Sequence, residues 1–161
     1  MNIRYQELAA RIRGQLPDLE RVVQRAQTAW TQAQRSPDEP AYLEAAALNL
    51  HSFYSGLERL FELAARHVDG VTSTGDTWHR DLLHRMAQEV ADLRPPILSP
   101  DSLAALDQFR RFRHVVRNLY TFNLAPEKLE ELMRTLLPAW QSVQAELLGF
   151  ADFLDALSEA S

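Results

Sequence analysis

The chain has 161 residues, of which 46% are hydrophobic and 24% charged, values typical of one globular domain with a sizeable core. Its formal net charge of −5 excludes a protein that coats nucleic acid through its overall field, so contact with RNA requires a local basic patch. The absence of cysteine excludes disulfides and thiolate metal sites.

The first residues of the chain contain no apolar core of the kind that a secretion signal needs. No apolar run approaches the roughly 20 residues of a membrane span. We therefore expect a cytoplasmic protein without a membrane partner, folded as a single domain over residues 1–161.

Breaks that contain proline or glycine divide the chain into segments whose apolar residues follow helical periodicity. The first segment carries its apolar stripe from Leu8 to Ala33, and Pro17 within it predicts a kink or a split. The second segment begins near Pro40, a favoured residue in the first turn of a helix, and its stripe extends to Val68.

Three further helices are predicted in the second half of the chain. The third follows Asp76 as its N-cap, and the fourth follows Ser99, with Pro100 at the first helical position. The fifth follows Pro126, and Pro138 predicts a bend in it. Long amphipathic helices with short connections pack antiparallel, so the sequence predicts an all-α, up-down bundle of about five helices.

The fourth helix carries an unusual polar face beside its apolar stripe, at about 100° of rotation per residue. Like charges three or four residues apart oppose helix formation by about 0.2–0.5 kcal/mol per pair. Asp107 is placed to relieve only Arg110 and Arg111, and no acid lies within a turn of Arg117. Such a cluster suits a phosphate, because a guanidinium group donates to two oxygens at once, although a solvated helix face is the alternative. The residues on this face are Arg110, Arg113, His114, Arg117, Asn118 and Tyr120.

Two other groups of polar residues are candidate sites. Tyr54 and Glu58 lie one turn apart on the second helix, where Glu58 pairs either with an arginine of the fourth helix or with neighbours on its own surface. His79 and His84 are five residues apart, roughly 140° around a helix, and the carboxylates do not converge, so we expect neither a metal nor a cofactor. Trp78 and His79 are expected to pack the start of the third helix onto the bundle.

Residues 113–120, Arg-His-Val-Val-Arg-Asn-Leu-Tyr, resemble the signature of HEPN ribonucleases. That signature is an arginine, a polar residue, three further positions and a histidine, followed two residues later by a tyrosine in HepT toxins. Arg113, His114 and Tyr120 match it, whereas Asn118 stands where the histidine belongs. Segments 50–59, 75–83 and 120–128 are also similar to HepT-like proteins, so the resemblance covers most of residues 40–135.

The resemblance implies a HEPN-like bundle that forms a homodimer in which the signature helices meet. It also implies the toxin component of a type VII toxin–antitoxin pair, which cuts RNA without metal and is neutralised by a nucleotidyltransferase antitoxin of the MNT type. By the same resemblance Arg113 contacts phosphate and Tyr120 is adenylylated. Arg110 and Arg117 would add contacts to RNA, and Tyr54 and Glu58 would support an arginine of the fourth helix from the second helix.

The asparagine at position 118 leaves the nuclease activity open. An amide does not titrate near neutral pH, so Asn118 cannot replace a general acid or base, a role worth about 10²–10⁴-fold in rate. His114, four residues earlier on the same edge of the helix, is a candidate to transfer the proton. Without it the chain is a degenerate relative that binds RNA. The alternatives are a non-catalytic interaction or antitoxin module and the helical partner subunit of a split nucleotidyltransferase.

Overall fold

The computed structural model describes the backbone of residues 3–116 and 126–160 and the side chains of residues 4–113 and 126–160. Over these ranges the protein consists of five α-helices and the loops between them, with no β-strand. This confirms the predicted all-α bundle. The helices are α1 (Ile3–Arg35), α2 (Pro40–Ala64), α3 (Trp78–Met86), α4 (Pro100–Val116) and α5 (Pro126–Ala160). No helix in the described part of the chain is long and apolar enough to cross a membrane.

The core forms where the predicted apolar stripes meet. The long helix α1 packs against both α2 and α5. Helix α4 also packs against α2 and α5. The ring of Phe53 on α2 makes edge-to-face contacts with Phe109 on α4, at 5.6 Å between centroids, and with Trp140 on α5, at 5.9 Å. These aromatic contacts bury large surfaces and fix α4 against α2, which is the arrangement on which the candidate site depends.

Some predicted helix boundaries are confirmed and others are wrong. Helix α1 continues through Pro17, so the predicted split there is wrong. Helix α3 has Thr77 rather than Asp76 as its N-cap, because the chain becomes helical only at Trp78. The Ser99 N-cap of α4 is confirmed, since its hydroxyl accepts a hydrogen bond of 3.1 Å from the backbone N–H of Ser102.

Helix α2 ends in a π-helical turn, Ala65–Asp69. Gly70 follows in the left-handed region, with φ of 72°, where a residue with a side chain is strained. The backbone N–H of Val71 donates to the carbonyl of Ala65 at 3.0 Å. The helix therefore ends at Gly70, and the Asp69 side chain just before it is fully buried.

A buried ion pair between Asp69 and Arg94 attaches the loop before α4 to the end of α2. Both side chains are fully buried, with Arg94 Nε at 2.7 Å from Asp69 Oδ1 and Nη2 at 2.8 Å from Oδ2. The remaining N–H groups of Arg94 donate to backbone carbonyls of Arg85, Gln88 and Pro95. Such a pair is stable only because its charges and donors are satisfied together.

We expect Asp69→Asn to lower the free energy of unfolding by about 3–5 kcal/mol, because it leaves the Arg94 charge buried without a counter-charge. Urea denaturation of the purified variant measures this. Arg85→Gln is the matched control, since Arg85 reaches the same carboxylate only at 3.4 Å from a partly exposed position and should cost less than about 1 kcal/mol. Equal effects of the two substitutions would contradict the assignment.

Candidate functional site

The buried carboxylate of Glu58 on α2 contacts side chains of two other helices. Its residue is 3% exposed. One oxygen, Oε1, accepts a hydrogen bond from Arg113 Nη1 on α4, and the other, Oε2, lies 2.7 Å from His79 Nδ1 on α3. We call Glu58, His79 and Arg113 the Glu58 cluster.

The Glu58 cluster satisfies a group that would otherwise be costly to bury. An isolated carboxylate in an apolar interior loses its hydration, and only paired charges and hydrogen bonds offset that cost. The two partners are themselves only partly exposed, at 16% for the Arg113 side chain and 27% for that of His79. The cluster therefore holds three polar side chains in one arrangement at the edge of the core, where α2, α3 and α4 meet.

The contacts of His79 assign its tautomer. Nδ1 lies 2.7 Å from Glu58 Oε2 and 3.2 Å from Arg113 Nη1. Without a proton on Nδ1, its lone pair would face those of the carboxylate oxygen at hydrogen-bond distance, which is repulsive. Nδ1–H is therefore the donor to Glu58, and the 3.2 Å approach of Arg113 Nη1 is a contact between two donors rather than a hydrogen bond to the ring. In this tautomer the second ring nitrogen, Nε2, carries the lone pair. The ring also lies 3.5 Å from that of Trp78, measured between centroids.

Arg113 keeps donors beyond those that Glu58 uses. A guanidinium group carries several N–H donors in a planar fork, and the Glu58 contact involves Nη1. The Nε atom of Arg113 is buried and has no hydrogen-bond partner among the described residues. A buried donor without a partner is costly, so an acceptor for this N–H would stabilise the site.

Tyr54 lies one turn before Glu58 and is fully buried. Its hydroxyl makes no hydrogen bond with any residue that the structure describes. Burial raises the pKa of the Tyr54 phenol well above its usual value, and the nearby Glu58 carboxylate raises it further. Tyr54 therefore stays neutral beside the Glu58 cluster and adds no charge to it.

The other arginines of α4 are paired as the sequence spacing predicted. Arg110 Nε lies 2.8 Å from Asp107 Oδ1, and Arg111 Nη2 lies 3.0 Å from Asp107 Oδ2. Arg110 is mostly buried in this pair, whereas the Arg111 side chain is 74% exposed. Asp107, Arg110 and Arg111 together carry one net positive charge, which lies on the same helix as Arg113.

The structure brings together some of the predicted site residues, and others lie outside the described residues. Of the two alternatives for Glu58, the pair with an arginine of the fourth helix is the one found. The backbone of His114 belongs to α4, but its side chain lies outside the described residues. The predictions for Arg117, Asn118 and Tyr120 also fall outside them.

His79 is the residue whose contacts were missed. Its neighbour Trp78 packs against the core as expected. His79 instead contacts Glu58 and Arg113, which lie 21 and 34 residues away in the sequence. One feature of the sequence points toward this contact. Segments 50–59 and 75–83, which contain Glu58 and His79, are both similar to HepT-like proteins, as is the signature that contains Arg113. Among the described residues, no group of three histidine, cysteine or acidic side chains is placed to hold a metal ion.

The fold and the site together define an all-α bundle with an arginine of the fourth helix held by a carboxylate of the second. A family model for HepT-like proteins matches residues 45–154, which include all three members of the Glu58 cluster. The match covers well over half of the chain, and the chain therefore belongs to the HepT-like family. Searches of curated proteins and of solved structures find no significant match.

We expect Tyr54→Phe to raise the free energy of unfolding at pH 7 by about 1 kcal/mol, because it removes a buried hydroxyl that has no partner among the described residues. The raised pKa of the folded-state phenol stabilises the protein below the unfolded-state pKa of about 10. That contribution is lost as the pH rises above about 10, since the unfolded chain then releases the proton more readily. Stability of the variant should therefore fall less steeply there.

Urea denaturation at pH 7 and at a pH above about 10 measures both effects, and Tyr42→Phe is the matched control because Tyr42 is 37% exposed. The same slope with pH in wild type and Tyr54→Phe would contradict the prediction.

Proposed function

We propose that the chain is the HepT-like component of a type VII toxin–antitoxin pair, a cytoplasmic protein that cuts RNA without metal. The observation that carries the proposal is the Glu58–Arg113 pair, which holds an arginine of the signature in a fixed position at the edge of the core. Membership in the HepT-like family supports the toxin–antitoxin context.

A fixed arginine is better suited to phosphate than a free one. A solvated arginine loses about 2 kcal/mol of rotamer entropy when it is immobilised. Arg113 is already largely buried and held by Glu58. Its side chain therefore loses rotamer entropy when the protein folds and not when RNA binds. Donors fixed in advance stabilise charge that develops on a phosphate more effectively than donors that must first reorganise.

Attraction of RNA then comes from cations other than Arg113. The Glu58 carboxylate neutralises Arg113, whereas Arg111 is exposed and the Asp107–Arg110–Arg111 group keeps one net positive charge. We propose that Arg110 and Arg117 add further contacts to RNA, and that Asn118 donates to a phosphate or ribose. We further propose that two chains form a homodimer in which their signature helices meet.

A second candidate function is a non-catalytic helical interaction module that keeps the partner surface without nuclease activity. Asn118 in place of a histidine favours it, since an amide cannot transfer a proton near neutral pH. The carboxylates that pair with Arg110 and Arg113 also favour it, because paired arginines attract phosphate less strongly.

The purified chain should cut single-stranded RNA in the presence of EDTA, and Arg113→Lys should reduce the rate about 10²–10³-fold. Lysine keeps the charge opposite Glu58 but loses the planar fork, so the fold should survive while the phosphate contact is lost. Arg21→Lys is the matched control, because Arg21 is exposed and pairs with Asp18 within α1. A gel assay with labelled RNA measures the rates.

Undiminished cleavage by Arg113→Lys would show that the site is assigned wrongly. If wild type binds RNA or a nucleotidyltransferase partner but cuts nothing, the second candidate function replaces the first.

We propose that the MNT-type nucleotidyltransferase acts on Tyr120. Co-expression with such an enzyme should therefore add one AMP to the peptide that contains Tyr120, and mass spectrometry of the digested protein detects it. Tyr120→Phe should stay unmodified. Tyr54→Phe is the control variant, and it should still gain AMP on Tyr120. The buried Tyr54 is not accessible to a transferase, so its hydroxyl is not needed for the modification. AMP on any other residue contradicts this regulation.

A further inference from the structure

We propose that His79 is the general base of the RNA cleavage site and that Glu58 is the residue that positions it. The inference rests on the proposed function, because it names the group that transfers a proton during RNA cleavage. It arises from the contact between Glu58 on α2 and His79 on α3, and neither residue belongs to the signature at residues 113–120.

The geometry gives His79 what a general base requires. Glu58 Oε2 accepts the Nδ1 proton at 2.7 Å, so the neutral ring presents its lone pair on Nε2. A carboxylate that holds the opposite nitrogen of a histidine fixes its orientation and stabilises the imidazolium that forms when a proton is taken up. The Trp78 ring lies against the His79 ring and limits its rotation.

His79 is also next to the group that contacts phosphate. Its Nδ1 lies 3.2 Å from Arg113 Nη1, and both side chains bind the same carboxylate. A phosphate bound by the other N–H groups of Arg113 would therefore lie near the His79 ring. The His79 side chain is 27% exposed, which leaves it accessible to a substrate while its position remains fixed.

The proposed step needs no metal and no other reactant than water. Nε2 of His79 takes the proton of a ribose 2′-hydroxyl while that oxygen attacks the adjacent phosphorus. The O2′–P bond forms, the P–O5′ bond breaks, and Arg113 stabilises the charge on the phosphate oxygens. The leaving 5′ oxygen receives a proton from water, and the resulting hydroxide takes the proton back from the His79 imidazolium. The products are a 2′,3′-cyclic phosphate and a 5′-hydroxyl.

This assignment supplies the proton chemistry that Asn118 cannot provide. It competes directly with His114, the candidate that helical spacing suggests on α4. The contacts of His79 with Glu58 and Arg113 are given by the structure, whereas the case for His114 depends on spacing alone.

The test compares histidine variants in the metal-free cleavage assay. His79→Gln should lower the cleavage rate about 10²–10⁴-fold while RNA binding changes little. Added imidazole should restore part of the activity of His79→Gly, a rescue that a purely structural role would not give. His84→Gln is the matched control, because His84 lies on the exposed side of α3 and should leave the rate unchanged. Thermal melting establishes that each variant folds.

A nuclear magnetic resonance measurement tests the positioning role of Glu58 separately. Long-range ¹H–¹⁵N correlations of the imidazole ring should show His79 in the Nδ1–H tautomer in wild type and a loss of that preference in Glu58→Gln. An Nε2–H tautomer in wild type would overturn the inference.

The outcomes separate this inference from the proposed function. If wild type cuts RNA and His79→Gln cuts equally well, or His114→Gln alone is inactive, His79 is not the base and the proposed function stands. If wild type cuts no RNA under any condition tested, the nuclease function fails and the role of His79 fails with it.

Discussion

The carboxylate of Glu58 is the constraint on which the arrangement of this site depends. It is buried on α2, and a buried carboxylate is tolerated only when its partners are close and well oriented. Those partners come from α3 and α4, so the three helices can approach each other in few ways without leaving a charge unpaired. The aromatic contacts of Phe53 add packing energy to this arrangement, but they are not as directional as the ion pair.

A second buried ion pair, Asp69–Arg94, acts at the end of the same helix. It fixes the loop between α3 and α4, because Arg94 also donates to carbonyls of that loop and of the end of α3. Glu146 of α5 then accepts hydrogen bonds from the Ser99 N–H and the Ser102 hydroxyl at the start of α4. Both ends of the connection to α4 are thus held by buried or partly buried polar contacts, and Arg113 lies on the helix that they place.

Much of the fold could be predicted from the sequence because it follows from local spacing. The apolar stripes of α1, α2 and α5 are buried as their periodicity predicts, and the Asp107–Arg110 pair follows from three residues of separation on one helix. The family also followed from a short signature and neighbouring segments, and the family model confirms it. The contact of His79 with Glu58 could not be derived in this way, because it depends on how the short helix α3 packs against α2. Periodicity within either helix does not specify that packing.

In the function proposed above, the pairing of Arg113 with Glu58 determines how an acidic chain with a net charge of −5 would act on RNA. A cluster of unpaired arginines would attract phosphate through its field but would repel itself and distort the helix. With Glu58 present, the repulsion is relieved, and what remains at the site is a set of oriented donors and a histidine of defined tautomer. On that proposal, such a site would bind RNA weakly for its number of arginines, and its selectivity would come from the position of the phosphate relative to Arg113 and His79. Weak, position-dependent recognition would suit the proposed toxin, because an antitoxin partner must be able to block its activity.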